Sequence, residues 1–390
     1  MFFNDEKIEE HIIQEGKAKI VIPKYEKLTK DVPVFYNPEK KFDRDLSVNI
    51  LNVYLEFILK RNEAKVCDLL SGSGIRGIRY YLETKKQKSK IFFVDKNKIA
   101  ASYIKKNVEL NKLPRDSFEI FNMDANEFLV NSREKFDIID IDPFGDPLPF
   151  LQNSILKVKH NGLLMITATD TAPLAGRYPR VSFMKYGGVA QFVEFYPEVA
   201  VRLLLKRVLE IGAMFEVYLD PLFSYWGKNY VRLFLRVRKS KKLARRIMEE
   251  IGFIYYCEKC KYRFTTSYII HKSLCDYCKS TNLKTIGALY LKKLADLSFL
   301  DVLLNQVKNQ RDKEMENFLI RYKKEMEINT PFFYRTDTLA SFTKKAEKKI
   351  DYIINQLKNL GFKAARVHSL KKGFKTDADY GTILSIFQKG

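Results

Sequence analysis

The sequence contains no apolar run approaching the roughly 18 residues needed to span a bilayer, and Met1-Phe2-Phe3-Asn4-Asp5 opens no signal-peptide pattern. The expectation is a cytoplasmic protein that neither crosses nor is anchored in a membrane. Cysteine is scarce as well: there are five, and four of them form two C-x-x-C pairs within one short stretch. That usage excludes a disulfide framework and points to metal. The fifth, Cys67, falls in an expected buried strand and reads as a small hydrophobe. Acidic residues are in deficit, 47 Asp+Glu against 69 Lys+Arg, so the net charge is +22 and the field attracts polyanions. Nucleic acid is the first candidate partner, and no obligate protein partner is evident. Internal repeats and low-complexity tracts are missing, while 390 residues with 46% hydrophobic content suffice for two folded domains.

Between residues 64 and 168 short β-rich runs alternate with helical stretches, the pattern of a parallel sheet with crossover helices. Strands are expected at Lys65–Leu69, Ile91–Asp95, Phe118–Met123, Phe136–Asp142 and Leu163–Ala168, with a covering helix at Lys98–Leu110. A helix at Glu194–Ile211 and antiparallel strands at Phe215–Leu219 and Tyr230–Val237 would complete the sheet. The basic run from Arg236 to Arg246 marks a boundary, giving domains 1–240 and 241–390. Beyond it come the cysteine stretch and a helical region around Leu291–Tyr322. Phe342, Ala346, Ile350, Ile353 and Leu357 then form one apolar stripe, with Gly361 placed to stop the helix. The fold class is α/β, a doubly wound, mostly parallel Rossmann-like sheet followed by a C-terminal α+β domain.

The run Val66-Cys-Asp68-Leu-Leu-Ser-Gly72-Ser-Gly74-Ile-Arg-Gly77 follows a strand and opens a helix. Its G-x-G-x-x-G suits a nicotinamide dehydrogenase as well as a methyltransferase. The neighbouring carboxylates discriminate. Asp68, just before the turn, suits the ammonium group of S-adenosylmethionine and would face a pyrophosphate badly. Asp95 can accept from both ribose hydroxyls, and Asp124 from the adenine amino group, with Ala125 offering a backbone donor to the ring. Three acids at successive strand ends make an anionic crevice fit for a sulfonium cofactor. Any one of them alone would serve equally as a helix cap.

The fourth strand ends in Asp142-Pro-Phe-Gly-Asp-Pro147. An exocyclic guanine amine is a poor nucleophile because its lone pair is delocalised into the ring. A carboxylate and a carbonyl accepting its two hydrogens would localise that pair and stabilise the charge that develops on transfer. Asp142 and the Pro143 carbonyl are the candidates, and Phe144 would stack on the flipped base. Asp137 and Asp140 lie further from the strand's carboxyl end and read as structural.

On these residues the chain resembles the tRNA (guanine-26,N2) dimethyltransferase family over most of its length. The motifs that carry the resemblance are Val34-Phe-Tyr-Asn-Pro38 with Phe42-Asp-Arg44-Asp45, Ser71-Gly-Ser-Gly-Ile-Arg-Gly77, Asp142-Pro-Phe-Gly145, Thr169-Asp-Thr-Ala-Pro-Leu174 and Lys375-Thr-Asp-Ala378. The resemblance implies that Arg44, Arg76, Asp95, Asp124 and Ala125 contact S-adenosylmethionine. It also implies that Asp142 is the catalytic carboxylate, that Phe35 and Phe144 sandwich the guanine, and that the C-terminal domain binds tRNA. The chain departs from the family pattern at Asp43 (usually Asn), at Asp146 (usually Ser) and at Tyr196-Pro197 (usually Cys-His).

Cys257, Cys260, Cys275 and Cys278 have the spacing of a zinc site, and four thiolates make it closed and structural. His271 is a weaker contender, since the cysteines complete the shell. Lys259, Lys261, Tyr262, Arg263, Phe264, Tyr277 and Lys279 interleave charge and aromaticity there, as a phosphate-binding surface does and as a solvated face also does. Lys344, Lys345, Lys348 and Lys349 are expected opposite the apolar stripe, and with Lys371, Lys372 and Lys375 they form a candidate contact to the tRNA backbone. Two other readings stay open on the residues alone: an amino-directed methyltransferase of DNA adenine or rRNA, and an RNA-binding protein with a vestigial cofactor pocket.

Overall fold

The structure, a computed structural model, describes residues 9–25, 32–61, 63–84 and 89–388. The opening Met1 to Asp5 stretch lies outside the described residues. Among the described residues, no helix is long and apolar enough to cross a membrane. The chain packs as two units, Met1–Ala168 with Phe234–Lys239, and Thr169–Leu233 with Ser240–Gly390.

The first unit begins with a hairpin of β1 (Glu10–Glu15) and β2 (Ala18–Pro23), then α1 (Lys41–Val53). There follow β3 (Lys65–Leu69), α2 (Ile75–Glu83), β4 (Lys90–Val94), α3 (Lys98–Leu110), β5 (Phe118–Phe121), α4 (Ala125–Asn131), β6 (Phe136–Ile141), α5 (Leu148–Lys157) and β7 (Val158–Ala168). The order across the sheet is β5-β4-β3-β6-β7, and the segment Phe234–Lys239 lies next to β7. The five strands β3 to β7 pair in parallel. Helical cover on a parallel sheet buries its strands, and Ile91, Phe93, Ile138, Ile139, Leu163 and Met165 are all fully enclosed. The progression outward reverses between β3 and β6, so the loops after these two strands flank the switch point where a ligand crevice opens.

β3 and α3 have the expected bounds, and the other parallel strands shift by one or two residues at their ends except at β7; the strand expected at Phe215–Leu219 instead runs Val217–Trp226, and the one expected at Tyr230–Val237 runs Val231–Lys239. That strand starts at Val158, five residues earlier than expected. Val158 pairs with Phe136 before a break in register, and Asn161 takes φ +59° there. Polar Lys159-His160-Asn161 had concealed this extension, because a turn and an irregular strand favour the same residues.

The second unit holds α6 (Thr171–Leu174), α7 (Pro179–Tyr186), α8 (Tyr196–Met214), β8 (Val217–Trp226) and the start of β9 (Val231–Lys239). Next come α9 (Lys241–Ala244), α10 (Ile247–Glu250), β10 (Ile251–Cys257), β11 (Arg263–Thr266) and β12 (Leu283–Tyr290), the last three forming an antiparallel sheet ordered β11-β10-β12. Then follow α11 (Leu297–Gln310), α12 (Lys313–Met326), β13 (Tyr334–Arg335), α13 (Thr336–Thr343), α14 (Ile350–Asn359), β14 (Ala364–Arg366), β15 (Gly373–Thr376) and α15 (Tyr380–Gln388).

The expected helical region holds two helices, and the expected single helix of the apolar stripe is in fact a pair. Around Leu291–Tyr322, Arg311 turns left-handed at φ +62° and Asp312 caps the next helix through Met315 N, 3.0 Å. The stripe from Phe342 to Leu357 is broken as well. Lys344 at φ +54° ends α13, Ala346 is exposed, and only Ile350, Ile353 and Leu357 share α14. A 3.6-residue apolar period does not register a left-handed cap between two aligned faces. Lys344, Lys345, Lys348 and Lys349 therefore lie in the connection, not along a helix face. Gly361, at φ +88°, follows the end of α14 as expected.

Candidate functional site

In the first unit the turn after β3 is shaped by Gly72. Its φ is +57°, and a Cβ there would lie 3.0 Å from the Phe35 carbonyl oxygen, so a side chain is both strained and crowded. Asp95, at the end of β4, fixes this turn: Oδ2 accepts from Gly72 N at 2.8 Å, while Oδ1 accepts from Asn97 N at 2.9 Å. Burial raises its carboxyl above the ordinary value, against those two donors. Gly74 is left-handed at φ +77° and precedes α2 without a side-chain cap.

Asp68 points into the protein. Its Oδ2 accepts from Gly77 N at 3.0 Å, and in the sheet it sits in register with Asp140. Burial, then the Asp140 charge, push its carboxyl up to about 8, opposed by the Gly77 donor and Arg76. Asp124 caps α4, with Oδ1 accepting from Asn126 N (2.8 Å) and Glu127 N (3.3 Å). Ala125 is buried behind it.

Asp142, directly after β6, is held on both oxygens. Lys40 Nζ donates to Oδ1 at 2.5 Å, and Arg76 donates to Oδ2 through Nε at 2.8 Å. Arg76 also pairs with Asp43, and its Nη1, 3.8 Å from Asp140, is buried without a hydrogen-bond partner. Arg44 is clamped by Glu15 at 2.6 and 2.5 Å and donates to the Asn37 carbonyl at 3.0 Å. Burial alone would raise the Glu15 carboxyl, but Arg44 and then Arg79 bring it down to about 2. Phe35 and Phe144 meet edge to face, with centroids 5.8 Å apart and planes at 82°; Phe144 is 64% exposed and Pro143 is buried. Asp137 accepts from Lys65 N and two cations and Asp140 from Tyr80, which are structural roles.

The structure thus gathers Asp142, Arg76, Phe35 and Phe144, and it adds Lys40, Asp43, Glu15 and Arg79. Nothing in the local sequence distinguishes Lys40 among 69 cations. Its contact spans 102 positions of chain.

In the second unit the four cysteine Sγ atoms lie within 4.8 Å of one another, with Cys257–Cys278 and Cys260–Cys275 each at 3.6 Å. Two similar turns create this. Lys261 N donates to Cys257 O and Lys279 N to Cys275 O, and Lys261 and Lys279 have φ +66° and +58°. Four thiols at tetrahedral-edge separations fit zinc, and among the described residues this is the only such group. His271 stays outside it, exposed.

Two expected contacts to RNA are corrected. The Arg263 side chain is only 5% exposed, paired to Glu194 at 2.9 Å and set over the Tyr334 ring at 3.7 Å. Lys375 is also buried: its Nζ donates to Glu198 Oε1 at 3.0 Å, beside Arg202 and the Phe332 amide. Lys372 pairs with Glu347 at 2.7 Å.

A glycine turn at the switch point of a parallel sheet, acids at the strand ends and an Asp-Pro-Phe turn define the class of S-adenosylmethionine-dependent amino methyltransferases. The profile of the family described as N2,N2-dimethylguanosine tRNA methyltransferase matches residues 16–388, and the chain belongs to that family. It is 35% identical over 384 residues to the tRNA (guanine(26)-N(2)/guanine(27)-N(2))-dimethyltransferase of Aquifex aeolicus, covering 96% of this chain and 94% of that one. To the tRNA (guanine(26)-N(2))-dimethyltransferase of Pyrococcus furiosus it is 34% identical, with 97% and 98% covered. The solved structure of Trm1 from Pyrococcus horikoshii with S-adenosyl-L-methionine is similar at a TM-score of 0.83 and 30% identity, covering 96% of this chain and 99% of that one.

Proposed function

We propose that this chain transfers one or two methyl groups from S-adenosylmethionine to N2 of guanine 26 in tRNA, in the cytoplasm. Residues 1–240 would carry the chemistry, and 241–390 would hold the RNA around a structural zinc. The observation that carries the reading is the Asp142 carboxylate, presented after β6 beside the exposed Phe144 ring and held by two cations.

The site's own groups fit the donor. Bound S-adenosylmethionine supplies an electrophilic sulfonium methyl group. Arg76, whose Nη1 is buried without a hydrogen-bond partner, would donate to an oxygen of that cofactor. Asp95 would hold the ribose, and Asp124, whose Oδ1 takes both cap hydrogen bonds, keeps Oδ2 for the adenine amine, with Ala125 N–H for the ring. Asp68, which points into the protein, would act on the ammonium group through its charge alone, and that cation would favour the carboxylate. Gly72 and Gly74, both left-handed, would shape the turn that faces the donor, and Arg44 is held by Glu15.

The guanine would enter between Phe35 and Phe144 once their edge-to-face contact opens into a sandwich. Its amine would give one hydrogen to Asp142, displacing Lys40 from Oδ1, and the other to the Pro143 carbonyl. Transfer would break the sulfonium–methyl bond and release the neutral thioether, and Asp142 would stabilise the cationic amine and take its proton.

The test is mass spectrometry of nucleosides from tRNA transcripts treated with the protein and S-adenosylmethionine. Methylated N2-guanine is expected, and it disappears when guanine 26 is replaced. Persistent methylation of the altered transcript, or equal activity on DNA, overturns the reading.

A further inference from the structure

We infer that a groove in the second unit, with Arg177, Phe192, Tyr196 and Trp226 on one wall and Lys261 and Arg335 on the other, binds one unpaired nucleotide of the tRNA. None of these residues belongs to the active site. The inference rests on tRNA being the substrate.

The wall is built, starting from Gly176. This residue has φ +82°, and a Cβ on it would fall 2.1 Å from the Gln191 carbonyl carbon, so glycine alone lets the two backbone segments touch. The approach sets the Arg177 guanidinium 4.4 Å over the Phe192 ring. Phe192 stacks on Tyr196 at 5.0 Å and 25°, and Tyr196 meets Trp226 edge-on at 5.6 Å. Phe192 is nonetheless 47% exposed. An ordered ladder of rings with a half-open member does little for the core; it is a prepared surface for another planar group.

The opposite wall supplies charge. A cavity of about 250 Å³ is lined by Phe192, Tyr196, Lys261 and Arg335, below the roughly 300–1,000 Å³ typical of an enclosed small-molecule site. The acids around it are already engaged. Glu194 accepts from Arg263 and Tyr256, Glu258 pairs with Lys284 at 2.6 Å, and Asp337 pairs with Arg335 at 3.0 Å. Among the described residues neither Arg177 nor Lys261 has a carboxylate partner. Stacking rings beside unneutralised cations match a splayed base and its phosphate, the recognition mode of single-stranded nucleic acid. An acidic peptide would use the cations but leave the ladder without a purpose.

The experiment measures equilibrium binding of an unmodified tRNA transcript by the full-length protein and by Phe192→Ala, Arg177→Ala and Phe192→Trp. The two alanine variants are expected to bind about tenfold more weakly, as loss of one stacked base implies, with S-adenosylmethionine binding unchanged. The tryptophan variant should keep the parental affinity, and ultraviolet cross-linking should attach tRNA at Phe192 or Tyr196. Equal affinity of both folded alanine variants, or capture of an acidic peptide in preference to tRNA, overturns the inference. A parent that methylates guanine N2 while those variants bind undiminished sinks only the groove. A parent that holds RNA through Phe192 yet leaves guanine unmodified sinks only the proposed reaction.

Discussion

Lys40 Nζ lies 2.5 Å from Asp142 Oδ1, with both side chains almost enclosed. The lysine comes from just before α1 and the aspartate from the end of β6, so the contact joins the N-terminal segment to the floor of the crevice. It fixes one carboxylate oxygen while Arg76 fixes the other.

Asp142→Asn should lower the rate of methyl transfer by about 10²- to 10⁴-fold, the range for loss of a positioned proton acceptor. Affinities for S-adenosylmethionine and tRNA should be nearly unchanged, because the lost interaction matures in the transition state. Single-turnover kinetics with calorimetric binding checks both, and a parallel loss of cofactor binding would assign Asp142 a structural role.

Asp68 gives a pH signature. Its carboxyl is near 8 in the fold and about 4 in an unfolded chain. Between those values the folded state holds a proton that the unfolded state has released, so this group's contribution to stability falls as pH rises from about 4 to about 8. Asp68→Asn should remove that decline, since the amide oxygen can still accept from Gly77. Denaturant titrations of the cofactor-free protein across this range decide it, and identical pH slopes for parent and variant would refute the assignment.

The cysteine cluster should hold one zinc per chain by elemental analysis. Cys260→Ser or strong chelation should lower the melting temperature and leave S-adenosylmethionine affinity intact, because a closed four-thiolate shell offers no coordination position to a substrate. A metal-free protein of equal stability would contradict this.

Lys375→Met should destabilise the fold by about 3–5 kcal/mol, the usual cost of leaving a buried acid with one partner fewer. Glu198 and Glu325 both face this ammonium, at 3.0 and 3.8 Å. The salt dependence of tRNA binding should not move, whereas loss of a phosphate contact would reduce its slope by about one. Chemical denaturation and binding at several ionic strengths separate the two roles.

Much of the first unit was legible in the chain because its strands are buried on both faces and read as short apolar runs between glycine and acid punctuation. Lys65–Leu69 and Lys98–Leu110 were placed to the residue. The second unit was less legible. Lys344 and Arg311 interrupt apolar periods with single left-handed residues, a conformation that leaves no compositional trace when the residue is not glycine. Lys375 and Arg263 read as surface cations because sequence shows charge but not burial.

The sequence by itself determined the parallel sheet, the glycine turn, the acids after its strands and the four thiols, since these depend on residue type at short spacing. Only the tertiary structure decided which charges meet. The partners of Asp142, Arg44 and Lys375 come from segments tens to hundreds of positions away, and ion pairing falls off over a few ångströms in space whatever the separation along the chain.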